Sequence, residues 1–418
     1  MSVLLANVSK KQALIYAGFL VAYEFLTYIA NDMAMPAMIK VVATFKAPET
    51  AIADSLTTYL LGGASLQIIL GPLSDRYGRR PVMLFGVLSF FLFTIAIACS
   101  QSINQYLIMR FFEGMGLCFI AVVGYSTLQE IFSEIDAIRL MAIMANIAII
   151  APLIGPLVGA GFVSFFSWRY IFVIIAILSL ITFIGLYYFM PESVGQKQTD
   201  GTMIKRMELS IYSIYKNYRK LIFNSVFVFG SFALGIIYLP LIAWIGLSPT
   251  ILIGKSGLSM LHYGLLQLPV FGAYIWGVVV LQRIVVYRTI KQMILLGSAL
   301  TIPNIFLIYL FPLIINFNYT WLMPGLIGYF FGLGILVAPL TRLILFSTRV
   351  TKGTASALMN FIGMTIQAFG VEIANLIYQS HNNSYFALFC VFSGILYSVV
   401  IIFCFSANKK RLALSTPG

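Results

Sequence analysis

Two carboxylates, Glu24 and Asp32, stand inside the first long apolar stretch of the chain, residues 12–38. That stretch is long enough to cross a bilayer as a helix, which takes about 20 residues. A charged side chain at the centre of such a helix costs at least about 2.5 kcal/mol. At helical pitch the two acids lie roughly 80° apart around the axis and about 12 Å apart along it. Tyr28 falls midway between them, and Asn31 stands beside Asp32. Acid, phenol and acid thus form one polar stripe on an otherwise apolar rod, and such a stripe must face protein or water. The chemistry it offers is proton uptake and release, together with binding of a cation. The competing reading is a pair of acids hydrogen-bonded to neighbouring helices for packing alone.

A third ionisable site lies further on, in Met109-Arg110-Phe111-Phe112-Glu113-Gly114. An intramembrane arginine keeps its charge and needs a partner. Glu113, at i+3, can pair with it directly, or can serve as a second proton-titrating group. The residues alone leave both open. Glu372 is a further acid within an apolar span, with no role assigned, and His262 and His381 are expected to be bystanders at loop edges.

The elements that carry these groups are membrane helices. The 418 residues are 61% hydrophobic and only 9% charged, where soluble domains carry about 25% charged residues. Mean hydropathy is +0.97. Long continuous apolar runs exclude a transmembrane barrel, whose strands alternate. Hydropathy predicts twelve spans between about residue 13 and about residue 406. The first run contains acids and lacks a small-residue cleavage site, so it is expected to remain as a span and not to be removed as a leader.

The charge of +13 does not point to nucleic acid, because the basic residues fall in short loops on one side. Of 26 Lys and Arg, only Lys40, Lys46, Arg169 and Lys255 fall on the other side, with Arg110 inside a span. That bias places both termini in the cytoplasm. The fold class expected is an all-α membrane protein of twelve transmembrane helices in two six-helix bundles. Residues 1–190 form the first bundle, 191–220 a cytoplasmic linker containing an amphipathic surface helix near residues 204–215, and 221–418 the second bundle with a short tail. Cys99, Cys118, Cys390 and Cys404 sit in apolar spans and read as small buried side chains. An enzyme would need a nucleophile with its base or a metal cluster, and the sequence offers neither.

The loop after the second span reads Gly71-Pro72-Leu73-Ser74-Asp75-Arg76-Tyr77-Gly78-Arg79-Arg80. Its two glycines permit a tight turn between closely packed helices, and Asp75 can meet a helix end or a cationic partner across the bundle. Span five contains Ala151-Pro152-Leu153-Ile154-Gly155-Pro156-Leu157-Val158-Gly159-Ala160, where prolines bend a helix and glycines admit a close neighbour. These stretches resemble the major facilitator superfamily. The loop matches G-x-L-x-D-R-x-G-R-[RK] at every defining position, and span five is similar to the antiporter motif of the drug-exporting branches, with Ala151 and Ala160 at glycine positions. Arg110 falls in R-x-x-Q-G-x-G, where this chain has Glu113 in place of glutamine.

The resemblance implies alternating access by two halves rocking about a midplane site. It implies that Gly71, Asp75, Arg76, Gly78, Arg79, Pro152, Gly155, Pro156 and Gly159 act as a conformational latch. Glu24 and Asp32 are then the proton- and drug-coupling acids, regulated by Arg110, with Glu113 beside it. By family position, Tyr28, Asn31, Asn146 and Ala148 line the substrate site in the first half, and Tyr238, Leu239, Leu241 and Trp244 in the second. For the second set ordinary helix packing is an equal alternative. The function expected is a proton-coupled multidrug efflux antiporter for lipophilic cationic and neutral compounds in the bacterial inner membrane. It would be a monomer in membrane lipid, with the proton as coupling ion and no cofactor or metal. The alternative on the same fold is a dedicated exporter of one metabolite or siderophore.

Overall fold

Ser9 opens the first helix: its hydroxyl accepts from the Gln12 backbone N–H at 3.2 Å, satisfying one of the donors that a helix start leaves unpaired. The helix then runs without a break as α1 (Lys10–Phe45), through Pro36, to a left-handed cap at Lys46. The apolar stretch read from the sequence ends at residue 38. The extra two turns keep Lys40 on the helix, where its ammonium donates to the Val163 carbonyl.

The computed structural model describes residues 3–5, 7–199, 201, 203–204, 211–315, 318–378 and 383–415, with backbone alone at 134, 138, 142, 145, 146, 148, 149, 211, 213 and 410–415. After α1 come α2 (Ala51–Ser65), α3 (Gln67–Tyr77), α4 (Arg79–Ala98), α5 (Ile103–Gly114), α6 (Gly116–Cys118), α7 (Tyr125–Ile131), α8 (Glu134–Phe165) and α9 (Arg169–Phe189). The second half holds α10 (Ile211–Ile222), α11 (Ser225–Ile237), α12 (Leu239–Pro249), α13 (Met260–Ile284), α14 (Ile290–Ile314), α15 (Met323–Phe346), α16 (Lys352–Tyr378) and α17 (Asn383–Ser415).

Among the described residues, ten helices or joined helices are long and apolar enough to span a membrane. The bent pair α2 and α3, turning by 42°, supplies an eleventh. The twelfth helix is α8, whose 32 residues include the shorter apolar stretch Ile150–Phe165. The protein is an all-α membrane protein with the twelve-helix architecture. Two spans carry π-helical turns, Phe119–Gly124 between α6 and α7 and Thr250–Lys255 after α12. The surface helix expected near 204–215 is instead α10, Ile211–Ile222, with residues 205–210 outside the described set.

Two compact units emerge, Met1–Ala47 with Thr58–Tyr215, and Pro48–Thr57 with Lys216–Gly418. In the first, α8 packs along α1 and α4 along α9. The α2–α5 contact is a backbone approach: a Cβ on Gly62 would strike the Phe111 carbonyl, and one on Gly114 the Tyr59 carbonyl. In the second unit α15 is central, packed by α13 and α14. Asn375 of α16 donates to the Thr50 carbonyl at 3.1 Å and to Asp54 Oδ1 at 3.2 Å, and Glu372 lies against that same Asp54. Three cysteines are buried as expected, but Cys99, the residue that follows α4 and caps it, is exposed, and all four are free.

Candidate functional site

The polar stripe of α1 turns inward within the first unit. Glu24 is 1% exposed and Asp32 4%, so neither carboxyl faces lipid. Among the described residues, each has one satisfied oxygen and one without a hydrogen-bond partner. Glu24 Oε1 accepts from the Tyr125 hydroxyl at 3.0 Å, and Asp32 Oδ1 accepts from Asn31 Nδ2 at 3.3 Å. Glu24 Oε2 and Asp32 Oδ2 are the unpartnered ones. A buried carboxyl oxygen with no donor aimed at it is where a proton or a ligand's donor can sit. Tyr28 is half-buried between them, its phenol close enough to feel both carboxyls. Tyr125 follows directly on the π turn Phe119–Gly124, a feature frequent at functional sites.

Arg110 of α5 is fully buried and pairs with Glu113, also fully buried, at 2.5 Å. Of the two options open for Glu113 in the sequence, direct pairing is the geometry observed. The other Glu113 oxygen accepts from the Thr94 hydroxyl at 2.9 Å. The guanidinium donates at 2.7 Å to Asn31 Oδ1 and stacks 4.4 Å from the centre of the Tyr59 ring. Asn31 therefore relays between Arg110 and Asp32, its oxygen facing one and its amide the other.

The antiporter-like stretch of α8 abuts this cluster. A Cβ on Gly155 would fall 2.5 Å from the Asp32 Cβ and 3.2 Å from the Asp32 carbonyl carbon, and one on Gly159 would strike the Met33 backbone. Pro152 and Pro156 are accommodated inside an unbroken helix. The side chains of Asn146 and Ala148 lie outside the described residues.

At the α3–α4 turn, one glycine does the work expected of two. Gly78 adopts φ +107°, a conformation that favours glycine. Gly71 lies within α3, where a methyl would meet Val122 at an ordinary 3.5 Å, so the turn does not depend on it. Asp75 finds its cationic partner in its own segment, Arg79, at 2.6 Å. Arg79 reaches on to Glu130 of α7 at 2.8 Å and to Ser74 at 2.5 Å. The helix end goes to a residue from far along the chain. Glu192 accepts from the Arg79 and Arg80 backbone N–H groups at 2.9 and 3.2 Å, placing a carboxylate at the positive end of α4. Arg76 is exposed beside the Tyr77 ring.

In the second unit Trp244 is fully buried and donates to Gln267 at 2.8 Å, with its ring against Phe386. Leu239 packs over Gly370, and the Leu241 backbone donates to the Tyr329 hydroxyl at 3.3 Å. Tyr238 hydrogen-bonds Tyr274. These are contacts among that unit's own helices. His262 sits at the start of α13 with Ser259 at 2.7 Å. Tyr125, Thr94, Tyr59, Glu130 and Glu192 were not singled out from sequence for these contacts. For Tyr125 and Thr94 the available signal was a polar side chain within an apolar span.

The family and the relatives that this chain matches make it a membrane transporter and not an enzyme. The chain belongs to the Major Facilitator Superfamily, whose family model matches residues 20–371. It is 43% identical over 394 residues to the multidrug transporter MdfA of Yersinia pestis bv. Antiqua (strain Angola), covering 94% of each chain. It is 42% identical over 412 residues to the multidrug transporter MdfA of Escherichia coli O6:H1, covering 98% of this chain and 97% of that one. Among solved structures, the E. coli xylose transporter XylE in a partially occluded inward-open conformation aligns with a TM-score of 0.70 at 15% identity, covering 93% of this chain and 97% of that one. A bacterial homologue of the human lysosomal transporter Spinster gives 0.71 at 12% identity, covering 97% and 98%. These two likenesses bear on the fold alone.

Proposed function

We propose that this chain is a proton-coupled multidrug exporter of the bacterial inner membrane, with both termini in the cytoplasm, that moves lipophilic cationic and neutral compounds outward by alternating access. The observation that supports this reading is the pair of buried carboxyls on α1, each with one oxygen to which no described residue donates. Burial favours the protonated form of a carboxyl, and a bound cation favours the ionised form. Drug and proton therefore compete for the same acid, and competition becomes exchange if only loaded carriers change conformation. A neutral drug would act less directly, through the second acid or its surroundings. The membrane potential adds about 2.3 kcal/mol per charge per 100 mV to any electrogenic exchange. Identity of 42–43% to multidrug transporters over nearly the whole chain supports broad substrate range over the alternative of one dedicated metabolite. In this reading the protein works as a monomer and uses no cofactor.

The test is a pH jump in inverted vesicles acidified by respiration. Adding chloramphenicol or a quaternary ammonium compound is expected to raise the lumen pH with the wild type and not with a variant lacking both Glu24 and Asp32. A panel of such compounds without effect, beside one metabolite that works, would establish the dedicated exporter instead.

The α3–α4 turn serves as the latch in this scheme, so a change there acts on rate. Asp75→Asn removes the charge opposite Arg79 but leaves the membrane acids untouched. Drug turnover in proteoliposomes is expected to fall several-fold with drug Kd within about twofold of wild type. A large loss of affinity would remove the turn from the latch role.

A further inference from the structure

Arg110 has two carboxylates within its reach of influence, and they are used differently. Glu113 accepts at both oxygens, from Arg110 and from Thr94, as an ionised acceptor does. Asp32 is bridged to the arginine by the Asn31 amide and lies close enough to feel its charge, and its Oδ2 accepts no hydrogen bond from the described residues. The remaining ionisable groups facing the pair are Tyr59 of α2 and Tyr106 of the same helix, while Thr94 of α4 is a neutral donor. Glu24 has its own donor in Tyr125, and Tyr28 lies between the two acids and faces Asp32 as well. The motif that this stretch resembles carries glutamine at this position, and glutamine would leave the arginine without a counter-ion on its own helix.

We propose that Glu113 is a resident counter-ion that neutralises Arg110 and so leaves Asp32 free to carry the exchanged proton. The physical reason is charge balance in a dry interior. A fully buried guanidinium with no partner draws any nearby carboxylate into its ionised form, and an opposite charge at close range shifts a carboxyl's titration by about 1–3 units. With Glu113 paired at 2.5 Å, that demand is met within α5. Asp32 then binds a proton when the cation leaves and releases it when the cation binds, while Arg110 and Glu113 keep their charges. Glu113 is a positioning residue, acting on Asp32 through Arg110 and Asn31. This rests on the reading that Asp32 exchanges a proton for drug.

The experiment is the pH profile of tetraphenylphosphonium binding to the purified full chain in detergent, with proton release on binding followed by a pH dye. Glu113→Gln is expected to move the binding midpoint toward acid by about 1–2 units, with proton release near neutral pH falling roughly tenfold per unit moved. Glu113→Asp is expected to restore most of the wild-type profile. In Glu113→Gln combined with Asp32→Asn, the residual profile is expected to match that of Asp32→Asn alone. A folded Glu113→Gln with an unmoved midpoint overturns the proposal. If Glu113→Gln does not fold, Thr94→Val decides: it withdraws one of the donors that hold Glu113 ionised, so the midpoint moves the same way by less, and no movement overturns the proposal equally. Should Asp32→Asn leave the wild-type pH dependence intact, it is the role of Asp32 in exchange that fails, a result separate from an unmoved midpoint in Glu113→Gln.

Discussion

In Glu24→Gln, binding of a lipophilic cation such as tetraphenylphosphonium is expected to weaken by roughly 30-fold or more, while chloramphenicol binding stays within a few-fold of wild type. Glutamine keeps the shape of the side chain and can still accept from the Tyr125 hydroxyl, now 3.0 Å from Glu24 Oε1, so the fold is preserved. What it removes is a buried negative charge, and losing one partner of a desolvated charge pair costs about 2–5 kcal/mol, which is a factor of about 30 or more. Parallel titrations of the two ligands on the purified protein make the comparison. Equal loss for cation and neutral drug would take Glu24 out of cation recognition. Tyr125→Phe tests the neighbouring contact: it frees Oε1 without altering charge, and its effect on cation binding is expected to be far smaller.

Gly155→Val is expected to abolish drug export in a pump-deficient host. The argument is steric and local. Even the first carbon of a side chain at 155 would lie 2.5 Å from the Asp32 Cβ and 3.2 Å from the Asp32 carbonyl carbon, and one of those is backbone that cannot rotate away. Overpacking costs about 1–3 kcal/mol, a factor of roughly 5 to 150 in an equilibrium. Here it falls on the residue proposed to exchange the proton. Gly161→Ala in the same helix meets nothing within 4 Å and is expected to be close to neutral. Resistance assays together with the amount of protein in the membrane separate loss of function from loss of fold; wild-type export by a well-expressed Gly155→Val would refute the close-contact argument.

The acids of α1 and the helical architecture were legible because both depend on local composition. A carboxylate in an apolar run is conspicuous at any position, and span count follows from hydropathy. The Arg110–Glu113 pair was legible as one of two options, since i+3 spacing permits contact without requiring it. Partners supplied by distant segments were not legible. Tyr125 meets Glu24 from 101 positions away, and Glu192 reaches Arg79 across 113; no spacing rule connects such residues. Gly71 was overread because a glycine near a loop looks like a turn residue, and here the helix simply continues past it to Tyr77. The end of α1 was underread for the opposite reason. Lys40 looks like a helix terminus in the sequence, yet the helix runs on past it to Phe45 and its ammonium finds the Val163 carbonyl.

The π turn at Phe119–Gly124 alters how span four addresses α1. A π turn absorbs an additional residue, which withdraws about 100° of rotation from everything that follows. A helical wheel drawn at uniform pitch through Arg110, Glu113 and Tyr125 would therefore assign Tyr125 to the wrong side. The two ends of this span are out of step by a residue: one end sends Arg110 to Asn31 beside Asp32, and the other sends Tyr125 to Glu24. Which acid is served by which partner is thus decided by a local misfit in winding, and deleting a single residue there would reassign it.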